Sequence, residues 1–506
     1  MTTSGITLGT VEGKVTRWAG VKALFSRGMT ARQAVNTCLL SFKRKQPRRL
    51  VRLNSAVHTA VFAPTGVGKG VSIVLPFLLT CRDSMVVVDF KGELVKLTAA
   101  ARRRMGQKVV VLDPFGAVGG ADTFNTMFDI DPDSDCAPDE CRDLAAAVVF
   151  RKGTETDPFW LDSAEAEIAL AVGFTVCFAE PHDKNLQAVR RLLSDADRRL
   201  GMIAACCQSD VWGGILARWA HQAAQLKDKT LASVAASVHT QMRFLDTISL
   251  LETTRRSTFD PADLRGGGTT VYLVLPPEHV RTQSGLLRLW VGSLLRAVVK
   301  GGPQERRKVQ FVLDEASTLG RMTELEDAVD KYRGYGVRLL FLYQSLGQLK
   351  KCWPEGGEQT LLSNVTSVFF GVNDNLTADY VSARLGEFTQ VVTSGGTGTG
   401  TSRQASQGGQ GGSESHSWSA SDNWSQAGRK LLKPEEVMAL DPRVAVTFTP
   451  GVPPVATWLV RYYDADFNTP RRGVGLVRAF IDAACLLACV GFFAVIGTAM
   501  VIDKLK

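Results

Sequence analysis

The chain has 506 residues, 45% hydrophobic and 22% charged, which is a globular composition and excludes a disordered chain. A net charge of +9 favours an anionic partner, nucleic acid or an anionic membrane face, although many ordinary proteins carry as much. Ten cysteines lie scattered, mostly in apolar stretches, without paired Cys-x-x-Cys elements or a histidine at zinc spacing, so a reduced, cytosolic setting is expected.

The first 50 residues hold no long apolar core, so no signal peptide is expected there. Residues 1–52 read as a polar lead-in ending in Lys43, Arg44, Lys45, Arg48, Arg49 and Arg52. Such a cluster suits DNA or lipid headgroups, and equally a solvated basic arm.

Residues 53–125 open with a short strand-like run, His58–Phe62, followed by Ala63-Pro64-Thr65-Gly66-Val67-Gly68-Lys69-Gly70 and a helix-like run, Val71–Leu75. Strand, glycine-rich turn, lysine and helix form the context of a phosphate-binding loop. Glycines let successive N–H groups face an anion, and the helix N-terminus adds partial positive charge. Pro64, Thr65, Gly66, Val67, Gly68, Lys69, Gly70 and Val71 are the candidate nucleotide contacts, with Lys69 reaching the terminal phosphates. Ala63 stands where the first glycine is usual, and Gly70 where a hydroxyl usually holds Mg²⁺. Taken alone, the octet also fits a tight glycine turn carrying a surface lysine.

Val-rich runs at Met85–Asp89, Lys108–Asp113, Thr269–Leu275, Val309–Asp314, Arg338–Tyr343 and Ser367–Val372 suit strands buried on both faces of a parallel sheet. Helical stretches alternate with them, which argues α/β. Residues 126–262 differ: Phe159–Ala179, Leu186–Cys207, Val211–Leu226 and Thr230–Thr253 have helical period, so an all-α insert is expected there. The sheet resumes over 263–470. Within it, 391–427 is dominated by Gly, Ser, Thr and Gln and reads as a flexible loop. Ala483 to Ile502 is uncharged, and at about 1.5 Å per residue it spans roughly 30 Å, a bilayer core. A transmembrane helix over 479–503 is therefore expected, with a buried C-terminal helix as the other reading. The stronger positive flank, Arg471, Arg472 and Arg478, precedes it and would keep the main domain cytoplasmic.

A nucleotide motor also needs carboxylates. The apolar run Val309–Leu313 ends in Asp314-Glu315. Asp314 is the candidate Mg²⁺ ligand, through water, and Glu315 the group that polarises attacking water. The pair lies 245 residues (314 minus 69) beyond Lys69, and the helical insert accounts for the excess. Ser72 faces another side of its helix and is not a substitute for the missing hydroxyl. The six histidines are isolated and form no Ser/His/Asp array.

Together with the loop, Asp89-Phe90-Lys91-Gly92-Glu93, Asp113-Pro114-Phe115-Gly116, Asp157-Pro158-Phe159-Trp160, Leu313-Asp314-Glu315 with Leu319-Gly320-Arg321, and Tyr343-Gln344-Ser345 strongly resemble the type IV coupling proteins of bacterial conjugation, the TraG/VirD type. The similarity covers roughly residues 50 to 465. It implies a RecA-like P-loop ATPase with an inserted all-α domain, using ATP and Mg²⁺ and assembling as a homo-hexamer. It further implies a place at the bacterial inner membrane, linking a relaxase-bound single strand of DNA to a type IV secretion channel. By resemblance Arg333 acts across a subunit interface on the γ-phosphate, and Gln344 senses that phosphate from a strand end. A plain surface arginine and a satisfied polar strand end are the other readings of these two residues. Lys91 is a candidate contact to DNA or a neighbouring subunit. The family usually carries its membrane helices before the motor, whereas the apolar span here is C-terminal. A coupling ATPase for protein effectors without DNA shares every one of these motor residues. Intact Lys69, Asp314, Glu315 and Gln344 argue against a non-motor binding module.

Overall fold

A computed structural model describes residues 5–11, 49–53, 57–151, 155–304, 306–354, 356–403 and 414–464. The expected membrane span at 479–503 lies outside the described residues, as does most of the basic segment 1–52. Among the described residues no helix is long and apolar enough to cross a membrane.

In chain order come β1 (Ile6–Val11), β2 (Arg49–Leu53), β3 (His58–Phe62), a wide helical turn (Gly70–Val74) continuing as α1 (Leu75–Thr80), β4 (Ser84–Asp89), α2 (Glu93–Arg104) and β5 (Lys108–Leu112). Seven helices follow: α3 (Ala137–Val148), α4 (Phe159–Phe178), α5 (Leu186–Ser194), α6 (Ala196–Cys207), α7 (Val211–Ala224), α8 (Asp228–Met242) and α9 (Ile248–Thr253). The sheet then resumes with β6 (Thr269–Val274), α10 (Pro277–Lys300), β7 (Val309–Leu313), α11 (Thr323–Asp330), β8 (Val337–Tyr343), α12 (Leu346–Cys352), α13 (Gly357–Asn364), β9 (Val365–Phe370) and α14 (Asn375–Leu385). A ribbon, β10 (Glu387–Arg403) and β11 (Glu414–Lys430), precedes α15 (Pro434–Met438), β12 (Val444–Thr449) and β13 (Val452–Trp458).

Among the described residues eleven strands form one sheet in the order β2-β1-β13-β12-β9-β3-β8-β7-β4-β6-β5. From β9 to β5 every pairing is parallel, and β12, β13, β1 and β2 extend the sheet antiparallel. The Val-rich runs become the central strands because both of their faces are covered: β4 and β7 are buried at every position. Connections between parallel strands must cross over, and α10, with Trp290 and Leu294 buried, supplies one such layer.

The helical stretch is observed: between β5 and β6 the described residues form helices and turns, apart from the single bridge Leu112–Asp122. Its separation as a domain is not. Core residues of α4 such as Ile168 and Val172 belong to the same apolar cluster as Val86 and Phe311 of the sheet, α3 packs on α10, and residues 1–459 form one compact unit. The second unit, 460–506, is described only to Asp464, where Arg461 N–H donates to Asp464 Oδ2 at 3.0 Å.

Two expectations are corrected. The lead-in is not polar throughout: β1 lies buried in the sheet between β13 and β2, because Ile6 and Leu8 alternate inward on it, and Arg49 and Arg52 of the basic cluster fall on strand β2 rather than on an arm. Residues 391–427 are not a loop throughout. They contribute to the two 17-residue strands of an antiparallel ribbon, in register from Glu387↔Lys430 to Arg403↔Glu414. Composition speaks to side-chain burial, whereas this ladder is built from backbone N–H and C=O groups that every residue in it carries.

Candidate active site

The loop 63–70 leaves the buried strand β3, and Ala63 N–H donates to Tyr343 O at 3.1 Å, tying its start to β8. Gly66 and Gly68 have φ of 87° and 100°, the left-handed region where a side chain is strained. Ser72 N–H donates to Gly68 O at 3.0 Å and starts the helix. A Cβ built on Gly66 or Gly70 would meet nothing within 4 Å, so the outer face of the loop borders open space. Lys69 Nζ donates to Ala63 O at 2.5 Å and to Pro64 O at 3.3 Å. Burial lowers its pKa, against the opposing pull of Glu315 and Asp314, which places both carboxylates in its field. Ser72 is buried and is not part of the open face.

Strand β8 separates β3 from β7, so the loop, Gln344 and the Asp314-Glu315 pair leave the same edge from three neighbouring strands. Gln344 Nε2 donates to Glu315 Oε2 at 3.3 Å. Glu315 has φ of 51° and ψ of 50°, a left-handed conformation that costs a non-glycine residue about 1–2 kcal/mol. Burial, then the charge of Glu315, raises the Asp314 pKa to about 6, against the attraction of Lys69.

Asp89 ends β4 two strands from β8 and is also buried. It accepts N–H groups from Val95 at 2.9 Å and Lys91 at 3.2 Å, anchoring the start of α2. Burial raises its pKa, and its charge adds to the pressure on Asp314. Lys91 is exposed beside it.

Arg333 is not brought to this edge. It sits in the turn Tyr332–Tyr335 that enters β8, and its carbonyl accepts from Arg338 Nη1 at 3.1 Å. Gln344 follows the last residue of β8, and a seven-residue strand spans about 20 Å. Arg333 therefore occupies the opposite edge of the sheet from its own chain's loop. Its neighbours there are Arg338 and His58; burial and these two arginines hold His58 neutral, with a pKa of about 3.

Three contributors are not singled out by the sequence. Gln348 accepts the N–H of Gln344 at 2.8 Å, a spacing of four that a helix start explains. Asp89 opens the Asp89-Phe90-Lys91-Gly92-Glu93 motif, in which Lys91 is exposed while Asp89 itself is buried. Arg288, buried in α10, donates to Leu319 O at 2.5 Å and Arg321 O at 2.6 Å and lies 4.8 Å over the Phe150 ring, fixing the segment after Glu315. Nothing local in sequence links Arg288 to residues some thirty positions on.

Asp314 yields a prediction. Its folded pKa lies above the ordinary 3.8, so between about pH 4 and 6 the folded protein keeps a proton the unfolded chain has released, and stability falls as pH rises. Asp314→Asn removes that loss. In nucleotide-free protein with chelator, the variant should be more stable than wild type by about 1–3 kcal/mol at pH 7, the difference vanishing near pH 4. Denaturant titrations at both pH values check it; a gap that widens toward acid would contradict it.

The glycine loop 63–70 leaves β3, the acidic pair leaves β7 two strands away and Gln344 ends β8 between them, so three candidate groups meet at one edge of a large mixed α/β sheet. The chain belongs to the family described as Type IV secretory system Conjugative DNA transfer, whose model matches residues 17–479. It is similar to the protein VirD4 of Rhizobium radiobacter, with 31% identity over 415 residues, covering 80% of this chain and 57% of the relative. The type IV secretion system-coupling protein VirD4 of Bartonella quintana is 27% identical over 395 residues, covering 76% of this chain and 59% of that protein. The chain thus spans somewhat over half the length of these curated relatives. Among solved structures, the bacterial conjugative coupling protein TrwBdeltaN70 in an unbound form matches with a TM-score of 0.59 and 16% identity, covering 83% of this chain and 89% of that one. The plasmid coupling protein TrwB in complex with ADP and Mg²⁺ matches with a TM-score of 0.57 and 15% identity, covering 81% and 86%. At these identities the likeness concerns the fold.

Proposed function

We propose that the chain is the ATP-hydrolysing motor of a type IV secretion coupling protein. On this reading it works as a homo-hexamer anchored in the inner membrane by residues 479–503, with the motor in the cytoplasm and the helices of 126–262 as an inserted all-α domain. It recruits a relaxase bound to single-stranded DNA and drives the strand into the secretion channel. The observation that carries the reading is the Gln344–Glu315 hydrogen bond within the field of Lys69, because it joins residues from three strands into one hydrolytic arrangement. Family membership and the similarity to coupling proteins of type IV secretion support the cargo and the partners.

The residues fit ATP and Mg²⁺. The open outer face of Gly66 and Gly70 leaves room for phosphates, and burial together with the charge of Glu315 raises the Asp314 pKa, a penalty that a bound cation would relieve. Mg²⁺, when bound, supplies charge neutralisation on the phosphates, and Asp314 would hold it through water. Lys69 has only carbonyl oxygens to surrender when it turns to the phosphates. Glu315 takes the orientation of the attacking water, and Gln344 holds the Glu315 carboxylate while reporting on the terminal phosphate.

The deciding experiment is ATPase activity of a tail-deleted protein with and without single-stranded DNA. Strong stimulation supports a DNA motor; ATPase activity indifferent to DNA supports the protein-effector reading, which shares all motor residues. Deleting 479–506 should itself move the protein from carbonate-resistant membranes to the soluble fraction, and retention of the truncated chain there would contradict the anchor.

The location of Arg333, remote from its own loop, suits a role on a neighbour's nucleotide. Mixing a Lys69→Ala chain with an Arg333→Ala chain, each inactive, should then restore part of the ATPase activity, with a maximum set by their ratio. A flat zero across the titration, with hexamers confirmed by native mass, would remove Arg333 from that role.

A further inference from the structure

The phosphate loop has a second wall. On one side stand β8 and β7 with the charged machinery. On the other, β9 runs parallel to β3 with Phe369 opposite Phe62, and the chain leaves β9 through Gly371. Gly371 has φ of 57°, and a Cβ built on it would lie 2.9 Å from Val67 Cγ1 and 3.1 Å from Val67 Cβ. Val67 is the residue between the two left-handed glycines of the loop. Its isopropyl group therefore fills the space that a side chain at position 371 would need.

The turn after Gly371 is held in place from the catalytic side. Asp374 accepts the Thr377 N–H at 2.9 Å and starts α14. Thr377 Oγ1 accepts the Leu346 N–H at 3.2 Å, two residues beyond Gln344. The seat under Val67 is thus tied by hydrogen bonds to the segment that carries the glutamine.

We propose that Gly371 is a positioning residue for nucleotide binding: its bare Cα is the seat on which Val67 fixes the phosphate loop. The proposal rests on reading residues 63–70 as the nucleotide loop. A loop with two left-handed glycines has many accessible shapes, and only a few converge its N–H groups on an anion. Val67 is β-branched and stiff about χ1, so it cannot swing away from a methyl group placed on Gly371. The loop itself must shift. Such a shift weakens binding of ground and transition state alike, raising KM while leaving kcat near its wild-type value.

The test is a double-mutant cycle read by equilibrium titration with a fluorescent ATP analogue. Gly371→Ala should weaken binding about tenfold or more, and the same change made in a Val67→Ala background should weaken it less than about threefold. Val67→Leu, which overfills the seat from the loop side and leaves the Gly371 backbone alone, should also weaken binding. Hydrogen exchange of residues 64–70 in ligand-free Gly371→Ala protein should be faster than in wild type. Wild-type affinity in Gly371→Ala, or an equal loss with and without the Val67 side chain, would overturn the seat; the second result would trace the effect to the left-handed backbone alone. Failure of the wild-type chain to bind the analogue would instead overturn the nucleotide reading, and this proposal with it.

Discussion

Lys69→Ala lowers ATP turnover by about two to three orders of magnitude and leaves the thermal midpoint close to wild type. The ammonium lies at the base of the loop, 2.5 Å from Ala63 O, within the field of Asp314 and Glu315. Its burial disfavours the charged form, which offsets the hydrogen bonds to Ala63 O and Pro64 O that the substitution removes, so the fold should change little. Its positive charge matters when phosphates arrive, because a cation aimed at developing phosphoryl charge acts in a partly dry site where electrostatics are strong. Initial rates at saturating ATP, beside thermal melts of both proteins, measure the two halves of the expectation. Wild-type turnover in the variant would place the nucleotide elsewhere; a collapsed melt would make the lysine structural.

Glu315→Gln traps ATP. Hydrolysis should fall by about two to four orders of magnitude while nucleotide affinity stays within about threefold, because the substitution removes a base and keeps a hydrogen-bonding shape. The amide oxygen of the new side chain can still accept from Gln344 Nε2, which lies 3.3 Å from the carboxylate now. The left-handed backbone at position 315 is kept as well, so stability changes little. Affinity is read by titration and hydrolysis by single turnover. Parallel losses in both would mean that Glu315 holds the nucleotide rather than acting on water.

Much of this site is legible in sequence because its pieces are local. A valine-rich run ending at Asp89 or Leu313 announces a strand covered on both faces. Gly66, Val67, Gly68 and Lys69 between a strand and a helix announce an anion cradle, since backbone freedom and a helix start are properties of a few consecutive residues. The same locality misleads elsewhere. The stretch at 391–427 is dominated by Gly, Ser, Thr and Gln, yet its residues 391–403 and 414–427 pair through the backbone. Ile6 and Leu8 sit in a segment that reads as a polar lead-in, yet β1 finds its partner in β13, far along the chain.

The sequence by itself determined the valine-rich central strands, the helical stretch between them, where the loop lies and which carboxylates end their strand. The tertiary structure alone decided who meets whom. The strand order sets Gln344 against Glu315, brings Val67 beside Gly371 through β9, adds buried Asp89 to the field of Asp314 through β4, and carries Arg333 to the opposite edge. The physical reason is that hydrophobic period and turn chemistry act over a few residues, whereas strand order is chosen by packing two covered faces across the whole chain.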